Sequence, residues 1–315
     1  CWNVSSVTNM NKMFRSAFTF NQDIGSWNVS AVTDMSEMFY GASAFNQDIS
    51  SWNVSGVKNI GYMFCYAENF NQNLNSWDVS SVTNMEQLFS RASSFNRDIS
   101  SWNVSAVTDM RMLFAFTPFN QDISSWDVSA VTDLSAMFYF ASAFDQDIGA
   151  WNTSSASTMF RMFFEANAFN QNLTGWDVLG ITSMQYMFYH ASNFNGNIST
   201  WDVSGVTTMD QAFEEASAFN QDLSAWDTSS LTNMHEIFKG ATNFNQDIGG
   251  WDVSSVTTME QAFEGANAFN QDLSAWDTSS VTNMKEMFKE APYFNQNIDS
   301  WDVSSVTTME GMFYS

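Results

Sequence analysis

The chain has 315 residues, 44% of them hydrophobic and 16% aromatic, and 10 Lys plus Arg against 34 Asp plus Glu give a net charge of −24. That apolar content excludes a disordered chain, while the charge repels phosphate backbones and anionic membranes, so no nucleic-acid partner is expected. No run of about eighteen apolar residues and no signal-peptide pattern occurs, so no transmembrane segment is expected in this window.

The sequence opens at Cys1, directly before Trp2, and stops at Ser315 inside a repeat, which reads as a window cut from a longer protein and leaves room for an export signal outside it. Two cysteines, Cys1 and Cys65, are too few to staple a scaffold of this size, so stability must come from packing. A lipid-modified Cys1 is the less favoured alternative, because no flexible tether separates it from the folded part.

Tryptophan keeps the clock. It falls at 2, 27, 52, 77, 102, 126, 151, 176, 201, 226, 251, 276 and 301, a spacing of 25 broken once by 24. The short copy reads Phe114, Ala115, Phe116, Thr117, Pro118, Phe119, a one-residue deletion placed at a helix end. The composition, with 30 Phe, 20 Met and 13 Trp against 2 Pro, is that of one motif copied many times. Residues 1–315 are therefore read as a single continuous solenoid of about 13 repeats.

In the copy 77–101, Val82, Met85, Leu88, Phe89 and Ala92 follow the spacing of one face of an α-helix. Thr83 with Glu86 forms a capping box, repeated at Thr207 with Asp210, Thr257 with Glu260 and Thr307 with Glu310. Such a helix of about two turns would be stable only when neighbouring coils cover its apolar stripe. The segment Phe95–Ile99 then reads as a short strand with a bulge or corner at Arg97. Coils about 4.8 Å apart would make a rod of roughly 60 Å, with each Trp stacked on its neighbours.

The pattern WDVSSVTNM, a Met-Phe-x-x-Ala segment and FNQDIS, carried with variations by residues 251–275 and 276–300, resembles the BspA-like bacterial surface-protein repeats, irregular relatives of leucine-rich repeats. The resemblance runs from Trp2 to Phe313. It implies an α/β repeat solenoid, leucine-rich-repeat-like, with one short helix and one or two short parallel strands per 25-residue coil. It also implies display at a cell surface and adhesion, and it supplies no catalytic residues.

The residues themselves point away from an enzyme. No Gly-rich phosphate loop, Cys-x-x-Cys pair, His-Glu-x-x-His segment or nucleophile elbow occurs. His190 and His235 occupy positions that hold Gly, Glu, Ser, Lys or Asp in other copies, which suits surface residues better than ligands. Asp23, Asp48, Asp98, Asp122, Asp147, Asp222, Asp247 and Asp272 share one repeat position, and a catalytic pair would not recur eightfold. They read as turn-forming residues, with a Ca²⁺ column as the alternative cofactor site. The Asn or Asp after each Trp is read the same way, and its Asn copies create sequons at Asn3, Asn28, Asn53, Asn103 and Asn152, joined by Asn172 and Asn197. A threonine column running from Thr8 to Thr307 reads as helix caps in preference to a lattice-matching hydroxyl array.

Two stretches suggest contact chemistry. Toward the C-terminus, Glu214, Lys239, Glu264 and Lys289 share one column and Asp210, His235, Glu260, Lys285 and Glu310 another, charge ladders that would fix stacking order. In the N-terminal half the first of these columns instead holds Tyr40, Cys65, Tyr139, Phe164 and Tyr189, an aromatic stripe expected on an exposed helix face. Packing against a flanking segment is the alternative use of that stripe. The sequence thus predicts a non-enzymatic extracellular or cell-surface repeat protein, a spacer and adhesive surface for protein or glycan ligands. The alternatives are a segment of an extracellular filament, self-associating into fibres, and a Ca²⁺-binding module.

Overall fold

In the copy 77–101, alternate backbone amides have two different destinations. Leu88, Ser90 and Ala92 donate to the carbonyls of Met85, Gln87 and Phe89, three residues back in the same coil, at 2.8–3.2 Å. Met85, Gln87, Phe89 and Arg91 donate instead to Asp109, Arg111, Leu113 and Ala115 of the next coil, at 2.8–3.1 Å. An α-helix would keep every amide within the coil; this chain of linked turns shares half of them with its neighbour. The geometry requires left-handed residues at the third position of alternate turns, and Gln87 (φ 51°) and Arg91 (φ 60°) supply them.

This computed structural model describes residues 2–315, so Cys1, weighed above as a lipid-bearing residue, lies outside the described residues. The chain forms two compact units, Cys1–Ala156 and Ser157–Ser315. Within each, successive coils repeat the same ladder.

The helix expected over 82–92 is therefore not formed, and the deletion in the short copy falls at a turn, where the Thr117 hydroxyl donates to the Phe114 carbonyl at 2.7 Å. The capping boxes fail with the helix. Thr83 and Thr207 send their hydroxyls to the carbonyls of Lys58 and Thr182 in the preceding coil, at 3.3 and 3.1 Å. The amides of Asp210, Glu260 and Glu310 are capped by the next threonine along, at Thr208, Thr258 and Thr308.

Parallel pairing is reduced to one residue per coil. Asn9, Asp34, Asn59, Asn84, Asp109 and Asp133 bridge in series in the first unit, as do Ser183, Thr208, Asn233, Thr258, Asn283 and Thr308 in the second. Among the described residues there is no helix and no strand beyond these bridges. The strand expected at Phe95–Ile99 is replaced by a side-chain ladder. Asn46, Asn71 and Asn96 offer their Oδ1 atoms to the amides of Asn71, Asn96 and Asn120, at 2.9–3.2 Å. The following Gln, as in Gln72 and Gln121, bonds to the same oxygen. In the second unit Asn195, Asn220, Asn245 and Asn270 continue the same device. Gly196 interrupts the Gln series, and the chain there runs so close to the coil before it that a Cβ would lie 2.0 Å from the Gln171 carbonyl oxygen.

Side chains of the turn ladder fill the interior in columns. Phe39, Phe64, Phe89 and Phe114 stack at 5.7–6.1 Å between ring centroids, and each packs on a second phenylalanine of its own coil, as Phe89 does on Phe95 at 3.7 Å. Phe188, Phe213, Phe238 and Phe263 do the same in the second unit. The expected tryptophan column is present, with Trp52 on Trp77 at 6.5 Å and Trp201 on Trp226 at 6.5 Å. Each buried ring contributes on the order of 2–3 kcal/mol of transfer free energy. Tryptophan adds a donor: Trp77 Nε1 bonds the buried Ile49 carbonyl at 3.1 Å, and Trp226 the Ile198 carbonyl at 3.3 Å.

Candidate interaction faces

The turn ladder decides which side chains reach the surface beside the core phenylalanine. In the first unit, from Phe39 onward, the two residues after that phenylalanine are Tyr40–Gly41, Cys65–Tyr66, Ser90–Arg91, Ala115–Phe116 and Tyr139–Phe140. The second of each pair has positive φ, from 55° to 69°. This backbone turns the first of the pair inward: Cys65, Ser90 and Ala115 are buried, and burial pushes the Cys65 thiol up to about 12. Tyr40 and Tyr139 are half-buried, not on an exposed helix face as the sequence suggested. The more exposed partners are Tyr66, at 40%, and Phe140, at 37%.

The outer edge is thus a row of rings and one guanidinium that sequence reading placed one residue away. Arg91 Cζ lies 3.7 Å from the Phe116 ring centre and 5.3 Å from that of Tyr66. Phe116 stacks on Phe140 at 5.0 Å, with an interplanar angle of 11°. Beside the row, in the column of Tyr40, Arg15 lies 4.3 Å over the Tyr40 ring and pairs with Glu37. The available signal was the recurrence of Gly at Gly41, Gly240 and Gly265 in the outer column, a mark of left-handed backbone.

In the second unit, Phe164 and Tyr189 stack at 4.3 Å, and Arg161 lies 4.6 Å from Tyr186 and 4.7 Å from Phe160. The face then becomes charged, in the ladders expected from the sequence. Lys239 reaches Glu236 at 2.5 Å, Glu264 at 3.6 Å and Glu214 at 3.9 Å, and Lys289 reaches Glu264 at 2.8 Å. Glu214 is only 6% exposed, and its Oε2 has no hydrogen-bond partner among the described residues. Burial, followed by the nearby Glu236, pushes its carboxyl up to about 7. His235 bonds Asp210 through Nδ1 at 2.7 Å, which raises its pKa, while His190 lies 3.8 Å from Glu165.

The acidic columns serve as corners. The Oδ1 atoms of Asp23, Asp48, Asp98, Asp122, Asp147, Asp222, Asp247 and Asp272 each accept the amide two residues on, at 2.9–3.0 Å. The Ser50 amide and hydroxyl hold Asp48 below the usual carboxylate range, and Ser224 and Ser274 act likewise on Asp222 and Asp272. The residues after tryptophan make the same turn, as in Asn28 with Ser30 and Asp78 with Ser80. Asn3, Asn28, Asn53, Asn103, Asn152 and Asn172 are exposed, and Asn197 is half-buried. Among the described residues no group of three or more His, Cys, Asp or Glu is arranged to hold a metal ion. No helix among them is long and apolar enough to cross a membrane.

Among solved structures, the chain is similar to a TLR13–ssRNA13 complex, with 10% identity and a TM-score of 0.31 over 88% of this chain and 37% of that one. It is similar also to an internalin from Listeria monocytogenes (7%, TM-score 0.22, covering 90% and 78%) and a leucine-rich-repeat protein of Leptospira interrogans (10%, TM-score 0.25, covering 98% and 87%). The chain spans little more than a third of the TLR13 chain, and likenesses this loose carry no inference about what it binds. No curated protein matches it. A family model matches in four overlapping stretches, 1–102, 68–176, 169–273 and 246–315, so the chain belongs to the family described as Mycoplasma protein of unknown function, DUF285.

Proposed function

We propose that this is a non-enzymatic repeat protein of the cell surface or extracellular space, whose coils act as a scaffold for lateral contact faces. The observation that carries this reading is the outer edge of the first unit, where Tyr66, Arg91, Phe116 and Phe140 form a contiguous aromatic and cationic row beside buried small residues. Aromatic side chains and arginine are the types enriched where protein surfaces make specific contacts. Among the described residues the corner carboxylates accept turn amides and those of Glu236 and Glu264 pair with Lys239, the use expected of a scaffold. The resemblance to BspA-like surface repeats supports the extracellular placement, and the charge of −24 argues against nucleic acid as the ligand.

The test is a binding screen of the purified chain against extracellular matrix proteins and glycans, run beside a Tyr66→Ser/Phe140→Ser variant of unchanged melting temperature. The reading expects ligands bound by the native chain and released by the variant. Ligands bound equally by both would reject this face.

A further inference from the structure

Arg91 differs from the other arginines near it. Arg15 pairs with Glu37, and Arg111 with Glu86 at 2.5 Å. Arg97 donates to the Asn71 carbonyl at 2.8 Å. Arg91 has neither a carboxylate nor a side-chain hydrogen bond among the described residues, in a chain with 34 acids, and is held by the rings of Phe116 and Tyr66 alone. Its neighbours in the outer column, Gly41, Tyr66, Phe116 and Phe140, carry no charge. The arrangement recurs within the second unit. Arg161 lies among Phe160, Phe164 and Tyr186 at 4.6–5.7 Å, and among the described residues it has no ion pair and its buried Nε no hydrogen-bond partner.

A guanidinium flanked by rings is weakly hydrated, keeps its charge and is pre-oriented to offer its forked donors. Its chemical complement is a carboxylate, taken in bidentate fashion. We infer that the Tyr66–Arg91–Phe116 row is a receptor site for a single carboxylate of a protein partner, an Asp or Glu side chain set among apolar residues. The inference rests on the contact-face reading above. The uncharged neighbours favour one isolated carboxylate over a polyanion: a sulfated or uronate polysaccharide would bring serial charges that this row does not match and that the acidic chain repels.

The experiment is selection of a displayed random-peptide library on the whole chain, followed by binding of the enriched peptides to native protein, Arg91→Gln, Arg91→Lys and Tyr66→Ser/Phe140→Ser. The proposal expects peptides with one Asp or Glu flanked by apolar residues. Their affinity should fall at least tenfold with Arg91→Gln, and equally when the peptide acid is made an amide, with Arg91→Lys intermediate because lysine keeps charge but not the fork. Peptides lost on Tyr66→Ser/Phe140→Ser but indifferent to Arg91→Gln would overturn the carboxylate site and leave the contact face standing. Peptides indifferent to every variant, or an empty selection, would overturn both. Heparin or hyaluronate bound in an Arg91-dependent way, with no such peptide, would replace the proposal with a polyanion site. Unchanged melting temperatures confirm that the variants are folded.

Discussion

The buried carboxylate of Glu214 makes the second unit lose stability as pH rises through neutrality. In the unfolded chain this group releases its proton near 4.5, and in the folded chain near 7, because burial and then Glu236 oppose its charge while Lys239, 3.9 Å away, offsets only part. Between those values the native state holds a proton that the unfolded state has lost. The group's stabilising contribution is therefore present at low pH and is lost as pH rises through 7. At about 1.4 kcal/mol per pH unit, the loss over this interval totals about 3 kcal/mol. His235 acts in the same direction: its pKa is raised by the hydrogen bond to Asp210, so the stability it contributes below 6.5 is lost as pH rises through its higher native value.

Glu214→Gln keeps the shape and removes the titration. The variant should match the native chain at about pH 4 and exceed it by about 3 kcal/mol at about pH 8. Amide hydrogen exchange, corrected for intrinsic rate, gives the local readout. The relevant amides are those of Glu215 and Gly240, which donate to the Lys239 and Glu264 carbonyls at 2.6 and 2.7 Å. Parallel pH profiles for native and variant proteins would refute the reasoning.

Trp77→Phe should cost about 1 kcal/mol in urea unfolding, because it removes the indole donor to the buried Ile49 carbonyl, which keeps the Trp52 amide at 3.1 Å; an unchanged free energy would remove that bond from the account. Asn46→Ala should cost about 1–3 kcal/mol by stripping the acceptor shared by the Asn71 amide and Gln72 Nε2. Asn46→Asp, which retains an acceptor oxygen, should recover most of that loss, and equal damage from both variants would count against the ladder. Ca²⁺ should raise the melting temperature no more than another divalent salt of equal ionic strength, since the Asp oxygens already cap turns. A Ca²⁺-specific rise reversed by chelator would reopen the metal reading.

The periodicity, the tryptophan column and the Asx corners were legible because each depends only on residue type at a fixed interval. The charge ladders followed from that register. The helix was not distinguishable by hydrophobic spacing, since Val82, Met85, Leu88, Phe89 and Ala92 turn inward equally well from linked turns. The decisive signal was of another kind. The left-handed residues, such as Lys12, Glu37, Tyr62, Gln87, Met112 and Arg161 in one column and Tyr66, Arg91, Phe116 and Phe140 in the other, include no Val, Ile or Thr. Branching at Cβ is poorly tolerated at positive φ, and a helix surface has no such strict exclusion. Reading those columns as left-handed would also have moved the contact face from Cys65 and Tyr139 to Tyr66 and Phe140. The inter-coil destinations of alternate amides, by contrast, involve backbone alone and leave no mark on side-chain choice.

The linked-turn coil itself is tested most directly by the unfolding free energy of Gly265→Ala. Gly265 has φ +65°, and an added Cβ would meet its nearest neighbours, the Cα and N of Gly240, at 3.7 Å, so backbone conformation rather than crowding sets the effect. The left-handed conformation predicts destabilisation of about 1 kcal/mol. Stabilisation of about 0.5–1 kcal/mol, the effect of replacing Gly by Ala inside a helix, would contradict the account.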